Sequence, residues 1–206
     1  MHISWLGLSA CKFETSDATV LTDPFAPSVF SPPLRAKADV VTVSNDESEV
    51  HNHRAGVLGN PFVIDIPGEF EVKGVYVQGI SLSPSSATAF TFDMDGLRLV
   101  HFGDMQSPPS QALLERLGEV DVLCLPVGGG TTLAPEAAVK VVNEIEPRVV
   151  VPIFFQTEGV KLRTKLLPVT MFLREMGASR VEPVERVSLK RRDLALEETK
   201  VVVLRS

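Results

Sequence analysis

The rhythm of the chain changes near residue 102, and that change limits the folds open to it. Before this point the apolar residues fall in short runs broken by turn residues, at 2–7, 10–15, 18–22, 62–66, 69–81, 88–93 and 97–102. Runs of this length between glycine, proline and aspartate read as strands. Residues 38–44 carry Val40, Val41, Thr42 and Val43 without polar alternation, which predicts a strand buried on both faces. Asp95-Gly96 predicts a hairpin joining 88–93 to 97–102. The apolar phase of 69–81 slips at Gly74, which reads as a bulge in one long strand. After residue 102 helices alternate with strands. Helices are predicted over 108–117, capped by Ser107, over 135–146 and over 168–176. In the second, Ala138, Val141, Val142 and Ile145 make one apolar face. Strands fit 120–126 and 149–155, with closing strands near 186–190 and 199–205. Strands first and alternation afterwards predict an α/β fold of two mixed sheets with helices outside, one domain spanning 1–206.

Composition excludes several classes of function. Lys plus Arg is 20 and Asp plus Glu is 26, a net charge of −6. A chain of that balance lacks the electrostatic footprint of a nucleic-acid binder. Lys190, Arg191 and Arg192, with Arg186, read as a solvated face. The two cysteines, Cys11 and Cys124, form no Cys-x-x-Cys pair, which argues against a disulfide scaffold or a thiolate zinc site. Cys124 and His101 sit in apolar strands and read as core residues. No apolar run approaches the ~20 residues of a membrane helix, and no basic leader precedes an apolar stretch. A cytoplasmic protein with no membrane partner is expected.

Polar residues and glycines gather at three strand ends, 45–53, 103–107 and 127–132, where sites of layered α/β proteins form. Around them the chain resembles the metallo-β-lactamase fold superfamily, and in particular its short branch of ascorbate-phosphate-lactonase-like proteins and metal-dependent hydrolases. The resemblance is carried by Ile3-Ser4-Trp5-Leu6-Gly7, Leu21-Thr22-Asp23-Pro24-Phe25, the strand 38–44, Ile66-Pro67-Gly68-Glu69-Phe70-Glu71-Val72-Lys73-Gly74, His101-Phe102-Gly103-Asp104, Val127-Gly128-Gly129-Gly130 and the segment 148–157. It implies a four-layer αββα sandwich.

The superfamily's zinc motif, His-x-His-x-Asp-His, does not carry over. Aligned after Ser44, its places fall on Asn45, Glu47, Glu49 and Val50. A further ligand histidine of the family corresponds to Leu8, and the later one to Phe154. Asp104 alone stands where the resemblance places a ligand, the bridging carboxylate. Zinc hydrolases of this kind need imidazoles to hold the metal whose bound water attacks the substrate. Valine and phenylalanine ligate nothing. His51 and His53 lie just past the motif and read as solvated or as caps of the next turn.

The first expectation is therefore a non-catalytic member of the fold with a binding, regulatory or assembly role and no cofactor. Its vestigial pocket comprises Asn45, Glu47, Glu49, Val50, Asp104 and Phe154. Gly129 and Gly130 offer an anion-binding loop or, equally, a tight structural turn. The alternative is a phosphoester or lactone hydrolase with a carboxylate site at Glu47, Glu49 and Asp104 holding Mn, Mg or Zn. A third reading uses no metal and makes Asp104 or Glu47 a general base. A small-molecule or protein partner and self-association into a homo-oligomer are open.

Overall fold

The fold was taken from a computed structural model, which describes residues 1–82, 85–178, 180–195 and 198–206. In chain order the strands and helices are β1 (His2–Gly7), β2 (Ala10–Glu14), β3 (Thr19–Thr22), β4 (Ala36–Lys37), β5 (Val40–Thr42), β6 (Val57–Leu58), β7 (Phe62–Ile64), β8 (Gly68–Val72), β9 (Val75–Ser81), β10 (Thr88–Met94), β11 (Leu97–His101), α1 (Gln111–Leu117), β12 (Val122–Pro126), α2 (Pro135–Ile145), β13 (Val149–Ile153), α3 (Val169–Glu175), β14 (Arg186–Ser188) and β15 (Lys200–Val201).

Two mixed sheets result. The first runs β14-β1-β2-β3-β5-β7 and the second β15-β13-β12-β11-β10-β9-β8, with a small pair β4-β6 beside them. In the second sheet β11, β12, β13 and β15 are parallel, so their carboxyl ends open on one side. In the first, β3, β5 and β7 are parallel. The sheets meet face to face: Phe13 of β2 packs edge-on against Phe92 of β10 at 5.4 Å. His101 of β11 reaches across to the Ser9 carbonyl at 2.8 Å and to Thr22 Oγ1 at 3.1 Å. Cys11 of β2 and Cys124 of β12 touch between the sheets, and both are fully buried. β12 and β13 are buried along their whole length, as strands covered on both faces must be. α2 buries Ala138, Val141 and Val142, α3 buries Phe172 and Leu173, and the two helices pack together. No described helix is long and apolar enough to cross a membrane.

Several boundaries differ from the sequence reading. The slip at Gly74 is a chain reversal, not a bulge: Lys73 and Gly74 have φ of 51° and 74°, and β8 folds back onto β9 in an antiparallel hairpin. Two left-handed residues in succession suit a two-residue hairpin turn. α1 starts three residues later than expected. Ser110, not Ser107, caps it by accepting the Leu113 N–H at 3.3 Å. The final strand is shorter, confined to Lys200–Val201. Arg191 of the basic run is not purely solvated, since it donates to buried Asp121 at 3.2 Å.

Candidate functional site

The carboxyl ends of β1, β3, β5, β11, β12 and β13 converge, and the residue just past three of them turns left-handed. Leu8, Asp23 and Phe154 have φ of 49°, 44° and 52°. Such a conformation costs a non-glycine residue roughly 1–3 kcal/mol, and it persists only where surrounding contacts enforce it. One such contact is direct: the Phe154 N–H donates to the Leu8 carbonyl at 2.8 Å, tying the two sheets at the site. Gly128 and Gly103 complete the crossing. A Cβ on Gly128 would overlap the Phe154 carbonyl, and one on Gly103 (φ 30°) would overlap the Ser44 hydroxyl.

Within this frame Asp23 is fully buried. Its Oδ1 accepts the Ser44 N–H at 2.6 Å and its Oδ2 accepts the Ser44 hydroxyl at 2.7 Å. The same Oδ2 lies 3.2 Å from Nδ1 of His51, which is also 2.8 Å from Ser9 Oγ. On its other side His51 presents Nε2 to Asp104 Oδ1 at 3.5 Å. Its ring stacks on Phe154 with centroids 5.8 Å apart and planes 10° from parallel. Asp104 Oδ2 accepts from the Asn45 amide at 2.9 Å and the Gln106 amide at 3.3 Å.

Burial alone would push the His51 pKa down. The charges and hydrogen bonds of Asp23 and Asp104 together outweigh it, and the pKa is raised to about 9. Burial likewise opposes ionisation of Asp23, but the His51 charge and hydrogen bond prevail and hold its carboxyl below the usual range. The raised pKa favours the protonated form of His51 beside Asp23 at neutral pH. Burial has the opposite outcome at His101, whose pKa is lowered.

His51 is the residue the sequence reading missed. It is 2% exposed, neither solvated nor a cap. Its N–H donates to the Ser48 carbonyl at 3.0 Å, and the His53 N–H donates to the Pro24 carbonyl at 2.6 Å, which folds the loop inward. The signal that pointed to it is Asp23, a carboxylate at a strand end that needs a cation once buried.

The expected pocket is assembled in part. Val50, His51, Asp104 and Phe154 line a cavity of about 300 Å³, together with residues such as Gln106 and Arg163. Asn45 reaches Asp104 from the side. Glu47 and Glu49 do not line the cavity and are exposed. The Asn45 side chain accepts the Glu47 N–H at 3.1 Å, a turn that carries the following residues outward, and the Glu49 carboxylate accepts from Ser28 Oγ at 3.0 Å. In the glycine loop the Gly129 N–H is spent on the Leu133 carbonyl at 2.9 Å, and Gly130 packs beside Leu166. Thr131 is the member of that loop that reaches the cavity.

The donor set does not fit a histidine-type zinc centre. Val50 and Phe154 offer no lone pair, and both nitrogens of His51 face carboxylates. Among the described residues no three His, Cys, Asp or Glu side chains are arranged to hold a metal ion.

Comparison with known proteins places the chain. Residues 2–154 match the family model of the β-lactamase superfamily domain. A protein of Thermococcus onnurineus named UPF0173 metal-dependent hydrolase is 27% identical over 192 residues, covering 76% of this chain and 85% of that one. Another of that name, from Natranaerobius thermophilus, is 28% identical over 123 residues, 58% of this chain and 55% of its own. The crystal structure of a candidate zinc-dependent hydrolase of the metallo-β-lactamase superfamily from Thermotoga maritima is 34% identical, with a TM-score of 0.83 and coverage of 99% of this chain and 98% of that one. A metallo hydrolase of Ignicoccus hospitalis, 17% identical with a TM-score of 0.66, shares the fold. The chain belongs to the metallo-β-lactamase superfamily and has its α/β sandwich fold.

Proposed function

We propose that this chain binds a small molecule in the pocket at Asp104 and Phe154, without metal-assisted hydrolysis. The observation that carries the reading is the lining of the pocket: Val50 and Phe154 offer no lone pair, and His51 turns one nitrogen toward Asp23 and the other toward Asp104. Among the described residues His51 is the single histidine lining the cavity, so no set of imidazoles is available to a metal. Asp104, which also accepts from two amides, is poorly placed to serve as a general base.

A second reading, a phosphoester or lactone hydrolase using Mn, Mg or Zn, is favoured by the names of the relatives, which are called metal-dependent hydrolases. Those names support hydrolysis better than they support a non-catalytic role. Against it stand the outward positions of Glu47 and Glu49, which such a site needs beside Asp104.

Titration calorimetry of chelator-treated protein with Zn²⁺, Mn²⁺ and Mg²⁺, alongside phosphoester and lactone assays, separates the two. We expect no stoichiometric binding at the pocket and no turnover. One metal per chain, lost in Asp104→Ala and accompanied by turnover, would establish the second reading.

A further inference from the structure

The charges around the cavity are unequally spent. Asp104 accepts from Asn45 and Gln106 and faces His51, and Asp23 is met by His51 and Ser44, so the hydrogen-bonding capacity of both carboxylates is largely taken up within the wall. Arg163 also lines the cavity, is exposed, and among the described residues has no acidic partner within ion-pair distance. Thr131 and Thr164 bring exposed hydroxyls to the same cavity, and Phe154, Leu162 and Val50 make its apolar lining. A cationic guest would meet the guanidinium and would have to compete for Asp104 with Asn45, Gln106 and His51. A neutral polar guest would leave Arg163 unused.

We propose that the pocket takes a small amphiphilic anion: a carboxylate or phosphate monoester on a short apolar or aromatic body, its head at Arg163 and its body against Phe154 and Leu162. The inference rests on the binding reading above. At about 300 Å³ the cavity is at the lower end for small-molecule sites, which limits the body to a single ring or a short chain. A guanidinium suits either head because its forked N–H groups match two oxygens at once.

The test compares phenylacetate, phenyl phosphate, neutral phenylacetamide and inorganic phosphate by calorimetry and by amide NMR shifts around His51 and Phe154. The two aryl anions should bind, with the amide at least about five-fold weaker, and added salt should narrow the gap. Arg163→Gln should remove that advantage, a loss of about five-fold, whereas Arg163→Lys should keep most of it. Leu162→Ala should weaken the aryl anions and leave inorganic phosphate unchanged. Failure of every probe to bind, anion binding indifferent to Arg163→Gln, or shifts remote from the pocket would each overturn the proposal. Equal binding of the amide at the same pocket would overturn the anion preference and leave the binding reading intact. Metal-dependent hydrolysis of phenyl phosphate would overturn the binding reading itself.

Discussion

Replacing His51 by leucine should destabilise the protein more than most single substitutions, and in a pH-dependent way. Leucine keeps much of the packing against Phe154 and removes the charge together with the ring-nitrogen contacts to Ser9, Asp23 and Asp104. Asp23 then has two hydrogen bonds from Ser44, no exposure and no counter-charge. Removing one partner of a buried ion pair costs about 3–5 kcal/mol. An independent ceiling follows from protonating Asp23. Neutralising a carboxyl whose unfolded pKa is ~3.9 at pH 7 costs about 3 × 1.4, or ~4 kcal/mol. The chain escapes by that route if burying the charge is dearer, so a loss of about 3–4 kcal/mol is expected at pH 7. For a domain of this size that is a drop in Tm of roughly 6–16 °C. Urea unfolding from pH 7 to pH 4 should show the penalty shrinking by about 1.4 kcal/mol per unit as Asp23 protonates more easily. The double variant His51→Leu/Asp23→Asn should lose less than the sum of the singles. A loss below about 1 kcal/mol, or one that does not change with pH, would refute the buried ion pair as a source of stability.

Other consequences are equally direct. Because the His51 pKa is raised to about 9, its stabilisation is fully present below ~6.5 and fades as pH rises through 9. Asp23, whose pKa is lowered, contributes above ~3.9 and loses that contribution as pH falls through its folded value. Midpoints of urea unfolding against pH should therefore fall on both sides, and His51→Leu should lack the fall through pH 9 and lose stability from about pH 4 upward instead. Gly103→Ala and Gly128→Ala should each cost about 1–3 kcal/mol or more, read by the same midpoints, since the added methyl meets Ser44 in one case and the Phe154 carbonyl in the other. Cys11 and Cys124 are fully buried, and burial with the neighbouring Cys124 raises the Cys11 thiol pKa. A thiol reagent should label neither until denaturant is added, and rapid labelling of the native protein would show the inter-sheet core to be open.

Much of the architecture is legible in local pattern. The hairpin at Asp95-Gly96 follows from its turn residues, which adopt φ of 53° and 70°. The face of α2 follows from its spacing. The apolar run at Val40–Val43 marks a buried strand without any tertiary information. The errors arose where one local signal serves two structures. A phase slip at glycine fits a bulge and a reversal equally, and only the pairing of β8 with β9 decides. Ser107 and Ser110 both precede the helix, and the prolines between them do not choose between the two.

The site was legible only as a set of strand ends. Asp104, Val50 and Phe154 line the cavity because they follow strands whose carboxyl ends converge. Glu47 and Glu49 stand just before Val50 in the same loop, but the turn at Asn45 sends them out, a detail invisible to spacing. His51 was hidden for the converse reason. Its partner Asp23 is 28 residues away on another strand, and nothing near His51 in sequence announces that contact.

The most direct test is the nitrogen-15 NMR signature of the His51 ring between pH 6 and pH 10, with and without one equivalent of zinc. We expect both ring nitrogens to be protonated at neutral pH, deprotonation near pH 9, and no change on adding zinc. A neutral ring at pH 7, or a ring nitrogen that shifts on zinc addition in proportion to metal bound, would contradict an imidazolium at the floor of the pocket and return the chain to metal-dependent hydrolysis.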